Sequence, residues 1–202
     1  MAISTGLKEK NFELFIEKLS TFAFERDETK EDVNIEENVM EKITKVFGDK
    51  LLNATYTISN DYGNAYDGSF LHILLRTLIP TALGINELLP ENVRPPKETL
   101  IKVLLVHQLA KALIHVPNDN KWEIEKRNML YKYAENKPAI KTGLYSLMLA
   151  MELGIKLTPE EAEAVTINDR SLEDSQSRWH SSVLSTVVRQ ANELTYTIIN
   201  TL

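Results

Sequence analysis

The apolar residues of this chain recur with the helical period over nearly its whole length, and this spacing is the strongest constraint on its fold. Between residues 8 and 24, Phe12, Ile16 and Leu19 follow the i, i+4, i+7 rule and predict an amphipathic helix. The same period marks a long helix at the other end of the chain, from Trp179 to Ile199. The sequence therefore predicts an all-α fold.

Local signals indicate where the other helices begin and end. In Thr158-Pro159-Glu160-Glu161, a Thr cap, a Pro at the first helical position and a Glu three residues after the cap predict a short helix that ends near Ile167. The pattern also predicts a helix ending at Gly48 and a helix starting at Ser69, which Pro80 kinks or ends. Two further helices are predicted from Lys97 to His115 and from Trp122 to Ala134. The next helix has Pro138 in its first turn and Gly154 as its C-terminal cap. Residues 51–67 are compatible with an extended turn or with a helix.

Composition limits the class of protein and of site. At 202 residues, 43% of them hydrophobic and 26% charged, the chain can bury a sizeable core and is neither disordered nor fibrous. It contains no Cys, which excludes disulfides, zinc ribbons and cysteine nucleophiles. Any metal site would therefore use His and oxygen ligands.

The negative charge is concentrated in one segment. Residues 25–37 carry seven acidic and two basic side chains, whereas the whole chain has a net charge of −6. This segment is either a solvated loop and helix start or a contact with a basic partner surface. No long basic run is present, so we expect no general nucleic-acid binding. No apolar run reaches the roughly 18 residues of a membrane span, and no signal pattern is recognised, so we expect no membrane partner and a cytoplasmic location.

No local motif establishes catalysis. The four histidines, His72, His107, His115 and His180, are not paired at i, i+4 and form no HExxH motif, and no Gly-rich phosphate loop is present.

Five short segments nevertheless carry a family pattern in the right order. They are Gly-Ser-Phe-Leu-His at residues 68–72, Val-Leu-Leu-Val-His-Gln-Leu-Ala-Lys at 103–111, Thr-Gly-Leu-Tyr-Ser at 142–146, Leu-Thr-Pro-Glu-Glu-Ala at 157–162 and Gln-Ala-Asn at 190–192. Together they resemble the HD superfamily of metal-dependent phosphohydrolases over residues 66–199. The resemblance implies an HD-like helical bundle over residues 51–202, preceded by an N-terminal helical extension over residues 1–50.

In the HD superfamily, six His and Asp positions bind one or two divalent metals that activate water against a phosphoester. The resemblance places these positions at His72, His107, Gln108, Thr142, Asn168 and Asn192, so only the two histidines keep the family residue. The amide and hydroxyl oxygens at the other four positions are weak neutral donors to a dication. A shift of one residue would put Asp169 in place of Asn168, and an active centre would then hold Mn, Fe or Zn through His72, His107 and Asp169.

Each of these residues also has a structural interpretation. His72 is compatible with a partly buried helix histidine hydrogen-bonded to a neighbouring carbonyl, and His107 shares a helix face with Val103, which points it inward. Lys111 matches the family Lys near the phosphate and is equally compatible with an exposed helix Lys. The two tryptophans, Trp122 and Trp179, are expected to be core or interface anchors.

The leading hypothesis is a degenerate HD-like domain without catalytic activity or cofactor. It would serve as a binding or structural subunit, for instance in a phage particle, with residues 25–37 as a contact for a protein partner. The alternative is a residual phosphohydrolase acting on a nucleotide or another phosphoester. A third interpretation is an unrelated helical adaptor. Self-association and a virion location are left open.

Overall fold

The structure is a computed structural model that describes residues 3–22, 35–62, 65–169 and 181–201. It confirms the all-α class. Its helices are α1 (Thr5–Ser20), α2 (Ile35–Phe47), α3 (Lys50–Asn53), α4 (Ser69–Ile73), α5 (Ile79–Glu87), α6 (Lys97–Val106), α7 (Lys111–Ile114), α8 (Lys121–Arg127), α9 (Thr142–Glu152), α10 (Pro159–Thr166) and α11 (Val183–Thr201). Short 3-10 turns occupy Asn60–Tyr62, Glu91–Val93 and Ile167–Asp169.

The predicted helix ends agree best with the structure where a capping residue fixes the end. Gly48 follows α2 with a positive φ of 54°, and Gly154 follows α9 with a φ of 81°. The predicted start of α9 is wrong, because Pro138 lies four residues before Thr142, where the helix begins. The first helix lies slightly earlier than predicted, because the Ser4 side chain accepts the Leu7 amide and starts α1 at Thr5. Residues 25–34 of the acidic segment, together with Trp179 and His180, lie outside the described residues.

Pro80 does not end its helix, contrary to one of the two predicted outcomes. A π-helical turn at Leu74–Leu78 joins α4 to α5, and Pro80 lies at the start of α5, where its missing N–H is tolerated. The continuous helix Ser69–Glu87 is long and apolar enough to meet the length and hydropathy criteria for a membrane span. More than half of it is buried by other helices, as is usual for the core helix of a globular domain.

The single helix predicted from Lys97 to His115 is wrong in its second half. α6 ends at Val106, tight i to i+3 bonds such as Lys111 N to Gln108 O follow, and α7 lasts only four residues. The reason lies far away in sequence, since the Ala110 amide donates to the Ser146 hydroxyl at 3.1 Å instead of continuing the helical ladder. His107 and Gln108 therefore lie in a turn between two helices.

The helix predicted from Trp122 to Ala134 is also shorter than expected. α8 ends at Arg127, where Asn128 adopts a left-handed φ of 50°, and the chain then forms β2 (Tyr131–Tyr133). This strand pairs antiparallel with β1 (His115–Pro117), with His115 opposite Tyr133. Trp122 is 60% exposed, so it is not a core anchor.

The N-terminal helices share one hydrophobic core with the rest of the chain. Phe15 of α1 and Ile43 of α2 are buried in the same cluster as Leu71 of α4 and Leu104 of α6. α1 packs on α2, α3 and α4, while α11 packs on α5 and α10. Burial of these side chains is the main stabilising contribution, and it places the His107 turn at the centre of the fold.

The predicted capping box of α10 is present in full. The Thr158 hydroxyl accepts the Glu161 amide at 3.2 Å, and the Glu161 carboxylate accepts the Thr158 amide at 2.7 Å. The same carboxylate is buried and accepts hydrogen bonds from Lys102 of α6 at 2.9 and 3.0 Å. The cap therefore ties α10 to α6.

This arrangement predicts the effect of removing the cap hydroxyl. Thr158→Ala should lower the free energy of unfolding by about 1 kcal/mol, because the Glu161 amide loses its acceptor. Urea denaturation measures the change. Thr158→Ser keeps the hydroxyl and should remain close to wild type; equal losses in the two variants would contradict the assignment of the effect to the cap.

Candidate functional site

His107 is the centre of the candidate site, and both of its ring nitrogens are engaged. The residue is 1% exposed. Its Nδ1 lies 2.9 Å from the Val165 carbonyl, and its Nε2 lies 2.9 Å from the amide nitrogen of Asn168. A carbonyl can only accept and an amide nitrogen can only donate, so the ring is neutral, with its proton on Nδ1. Burial accordingly lowers the pKa of His107 to about 4.

Gln108 and Asn192 are bonded to each other. The Gln108 Nε2 donates to the Asn192 Oδ1 at 2.7 Å, and the hydroxyl of the fully buried Tyr56 donates to the same oxygen at 2.9 Å. Burial raises the pKa of Tyr56 well above its ordinary value, so its hydroxyl remains a donor. The side-chain oxygen of Gln108, Oε1, is buried without a hydrogen-bond partner among the described residues.

Lys111 continues this cluster and is buried, so the interpretation as an exposed helix Lys is wrong. Its Nζ donates to the Tyr56 carbonyl at 2.8 Å and to the Tyr196 hydroxyl at 2.9 Å. The same nitrogen lies 3.9 Å from the centre of the Tyr56 ring, a cation–π geometry. Carbonyl, hydroxyl and ring together satisfy an amino group that the surrounding core would otherwise penalise.

Asp169 caps a helix. Its two carboxylate oxygens accept the amides of Gly143 at 2.9 Å and Leu144 at 2.7 Å, in the first turn of α9. The close approach requires glycine at 143, since a Cβ there would lie 2.7 Å from an Asp169 oxygen and 2.9 Å from the Thr166 Cα. A carboxylate at a helix N-terminus is also stabilised by the helix dipole.

Three of the sequence-predicted positions meet at one cavity. Thr142, Asn168 and Asp169 line a space of about 330 Å³ together with Tyr133, Tyr145 and two lysines, Lys137 and Lys141. Asn168 forms the wall between this cavity and the ring of His107. The cavity thus lies outside the buried histidine rather than around it.

His72 is held elsewhere. Its Nδ1 lies 3.4 Å from the side-chain nitrogen of Asn11 on α1, and its ring stands edge-on to Tyr66 at 6.4 Å between centroids. Burial and the nearby Arg76 lower its pKa. Within the described residues, none of these contacts reaches His107, Gln108 or Asn192.

Sequence reasoning missed three residues in or beside the buried cluster. Tyr56 lies in the segment left undecided between turn and helix, and Tyr196 lies one turn after Asn192 on α11, a spacing that alone could have indicated it. His115 is the third. Its Nδ1 lies 3.1 Å from the Thr55 carbonyl, its ring stands edge-on to Tyr133 at 5.5 Å, and burial lowers its pKa to about 4.

The donors in this site do not suit a divalent cation as they are arranged. A metal-binding histidine must present a nitrogen lone pair, and the Nε2 lone pair of His107 accepts the Asn168 amide. Both oxygens of Asp169 accept backbone amides of α9. Over residues 3–22, 35–62, 65–169 and 181–201, no three His, Asp or Glu side chains are grouped closely enough to hold a metal ion.

Comparison of this chain with protein-family models, with curated proteins and with solved structures finds no match.

Two histidines, the buried His107 and the half-buried His115, predict an acid-sensitive fold. Both have a pKa of about 4 against an ordinary value of 6.5, so the unfolded chain binds more protons between these values. Their contribution should be fully present above pH 6.5 and lost as the pH falls towards 4, with a slope of up to about 1.4 kcal/mol per pH unit for each histidine. Urea denaturation at a series of pH values measures this slope.

A variant with a neutral side chain at position 107 isolates the contribution of His107 to this pH dependence. His107→Gln removes the titration and retains an amide that can donate to Val165, so stability between pH 6.5 and 4 should depend less steeply on pH. His72→Gln is the comparison, because the pKa of His72 is also lowered but its ring contacts Asn11 of α1 and not the His107 cluster. An unchanged slope in His107→Gln would contradict the buried, neutral state of this ring.

Proposed function

We propose that this chain is a non-catalytic helical domain, derived from an HD-type scaffold, which acts as a binding or structural subunit. The observation that carries the proposal is the double engagement of His107 by the Val165 carbonyl and the Asn168 amide. To bind a metal through Nε2, this ring would have to give up the hydrogen bond from Asn168, a net loss of about 0.5–1.5 kcal/mol.

The residues at the other proposed ligand positions also serve the fold. The Gln108 amide nitrogen and the Tyr56 hydroxyl both donate to the Asn192 side-chain oxygen. Thr142 opens α9, and its carbonyl accepts the Ser146 hydroxyl at 2.8 Å. Such bonds stabilise a buried polar cluster and supply no activated water.

The residues that keep the family pattern support the same proposal. Gly143 permits the close approach of Asp169, Ser146 accepts the Ala110 amide, and Thr158 with Glu161 forms the capping box of α10. Each of these roles is structural and needs no metal. Retention of scaffold residues with replacement of ligand residues is the pattern expected when catalysis is lost and the fold is kept.

Metal content and turnover test this proposal. The full chain, purified without chelators, should contain far less than one equivalent of Mn, Fe or Zn by mass spectrometry. It should hydrolyse neither nucleotides nor simple phosphoesters when these metals are added. Stoichiometric metal together with hydrolysis that His107→Ala abolishes would establish the phosphohydrolase alternative instead.

Restoring the ligands provides a second test. The combination Gln108→Asp, Thr142→His, Asn168→His and Asn192→Asp should raise the affinity for Mn²⁺ or Zn²⁺, because it returns carboxylates and imidazoles around His107. Calorimetric titration measures the affinity. The control is the same set with His107→Ala, which should lose the gain. Unchanged metal binding in the restored chain would contradict the proposed positions.

A further inference from the structure

Helix α9 has two different faces. Gly143, Ser146, Leu149 and Ala150 are buried against the fold, where α9 packs on α10 and α6. On the opposite side Leu144, Met148 and Met151 are 44%, 52% and 69% exposed. Their spacing of four and then three residues places all three on one stripe. We call these three residues the α9 apolar face.

The α9 apolar face is bounded by opposite charges. Lys141 precedes the first turn, and Glu152 closes the last one. Both side chains are exposed. Glu152 follows Met148 by four residues on the same stripe, whereas Lys141 is the extended residue at the N-terminal end of the helix. The two charged residues are eleven positions apart, about 16 Å along the helix axis. The face therefore has a positive end, an apolar middle and a negative end.

We propose that the α9 apolar face binds the same face of a second copy of this chain, with the two helices antiparallel. A two-fold contact requires a patch that complements itself, and this patch does so only in the antiparallel orientation. Lys141 of each copy then meets Glu152 of the other, while Met148 and Leu144 pack across the axis. The parallel orientation would instead place like charges together.

The local contacts are compatible with such a pair. Lys141 already donates to the Asp169 carbonyl at 2.5 Å, and its two further N–H groups remain available for Glu152 of the second copy. Two of the three residues of the α9 apolar face are methionines, whose flexible side chains adapt to irregular apolar surfaces. Both charge pairs form at a shallow crossing angle, the geometry common in antiparallel helix bundles.

The size of the face sets the expected strength. Stable interfaces bury about 1,200–2,000 Å² in total, and one helix face of three apolar side chains lies at or below the lower end of that range. We expect a weak dimer whose population rises with protein concentration. The pairing does not depend on whether the His107 cluster is catalytic, and no ligand of that cluster takes part in it.

Sedimentation equilibrium of the full chain over a wide concentration range tests the apolar contact. The wild type should show a monomer–dimer equilibrium, and Met148→Glu should weaken it by at least about tenfold because a charge is buried at the axis. Met148→Leu should retain it. Leu88→Glu is the matched control, since Leu88 is 85% exposed at the end of α5 and away from this face.

Charge exchange tests the antiparallel orientation. Lys141→Glu and Glu152→Lys should each weaken the dimer, because each replaces two attractive pairs with two repulsive ones. The double variant should restore dimerisation to near the wild-type level. Lys126→Glu, an exposed change on α8, should have no effect.

The outcomes that overturn the proposal are distinct from those that concern catalysis. A wild-type chain that stays monomeric at every concentration would overturn it, and so would a dimer that Met148→Glu leaves intact. A dimer weakened by both single charge variants and also by the double variant would exclude the antiparallel pairing. Circular dichroism and thermal melting of each variant establish that the fold is retained.

Discussion

The hydrogen bonds of His107 hold together the part of the fold on which the rest depends. This ring bonds the turn after α6 to Val165 and Asn168 at the end of α10. Asp169, the next residue, caps α9, and Ser146 of α9 returns to the turn after α6 by accepting the Ala110 amide. The three segments therefore form a closed circuit of hydrogen bonds that is buried at His107, Val165 and Ser146, where an unpaired polar group is expensive.

This circuit accounts for much of what the sequence could and could not predict. Gly48, Gly154 and the capping box at Thr158 act through neighbours within a few residues, and the helix ends at these points were predicted correctly. The end of α6 was not predicted, because the Ala110 amide is diverted by Ser146, which is 36 residues away. The early end of α8 was not predicted either, because residues with a helical pattern form β2 and pair with β1.

The candidate site shows the same division between local and distant causes. The inward orientation of His107 follows from its helix face, and the sequence predicted it. The partners of Lys111 could not be predicted in the same way. Tyr56 and Tyr196 lie 55 and 85 residues away in the sequence and meet Lys111 only in the folded chain. The exposed helix Lys suggested by the pattern is instead a buried amino group between two aromatic rings.

Helix α9 connects the buried circuit to the surface. Its first turn receives Asp169 and its inner face receives the Ala110 amide, so the helix is fixed at two points by the cluster around His107. Its outer face carries three exposed apolar side chains. Interfaces gain affinity when the contacting element is held in its bound orientation before association. In the proposed binding subunit, the polar cluster around His107 would therefore fix the orientation of the helix that presents the α9 apolar face.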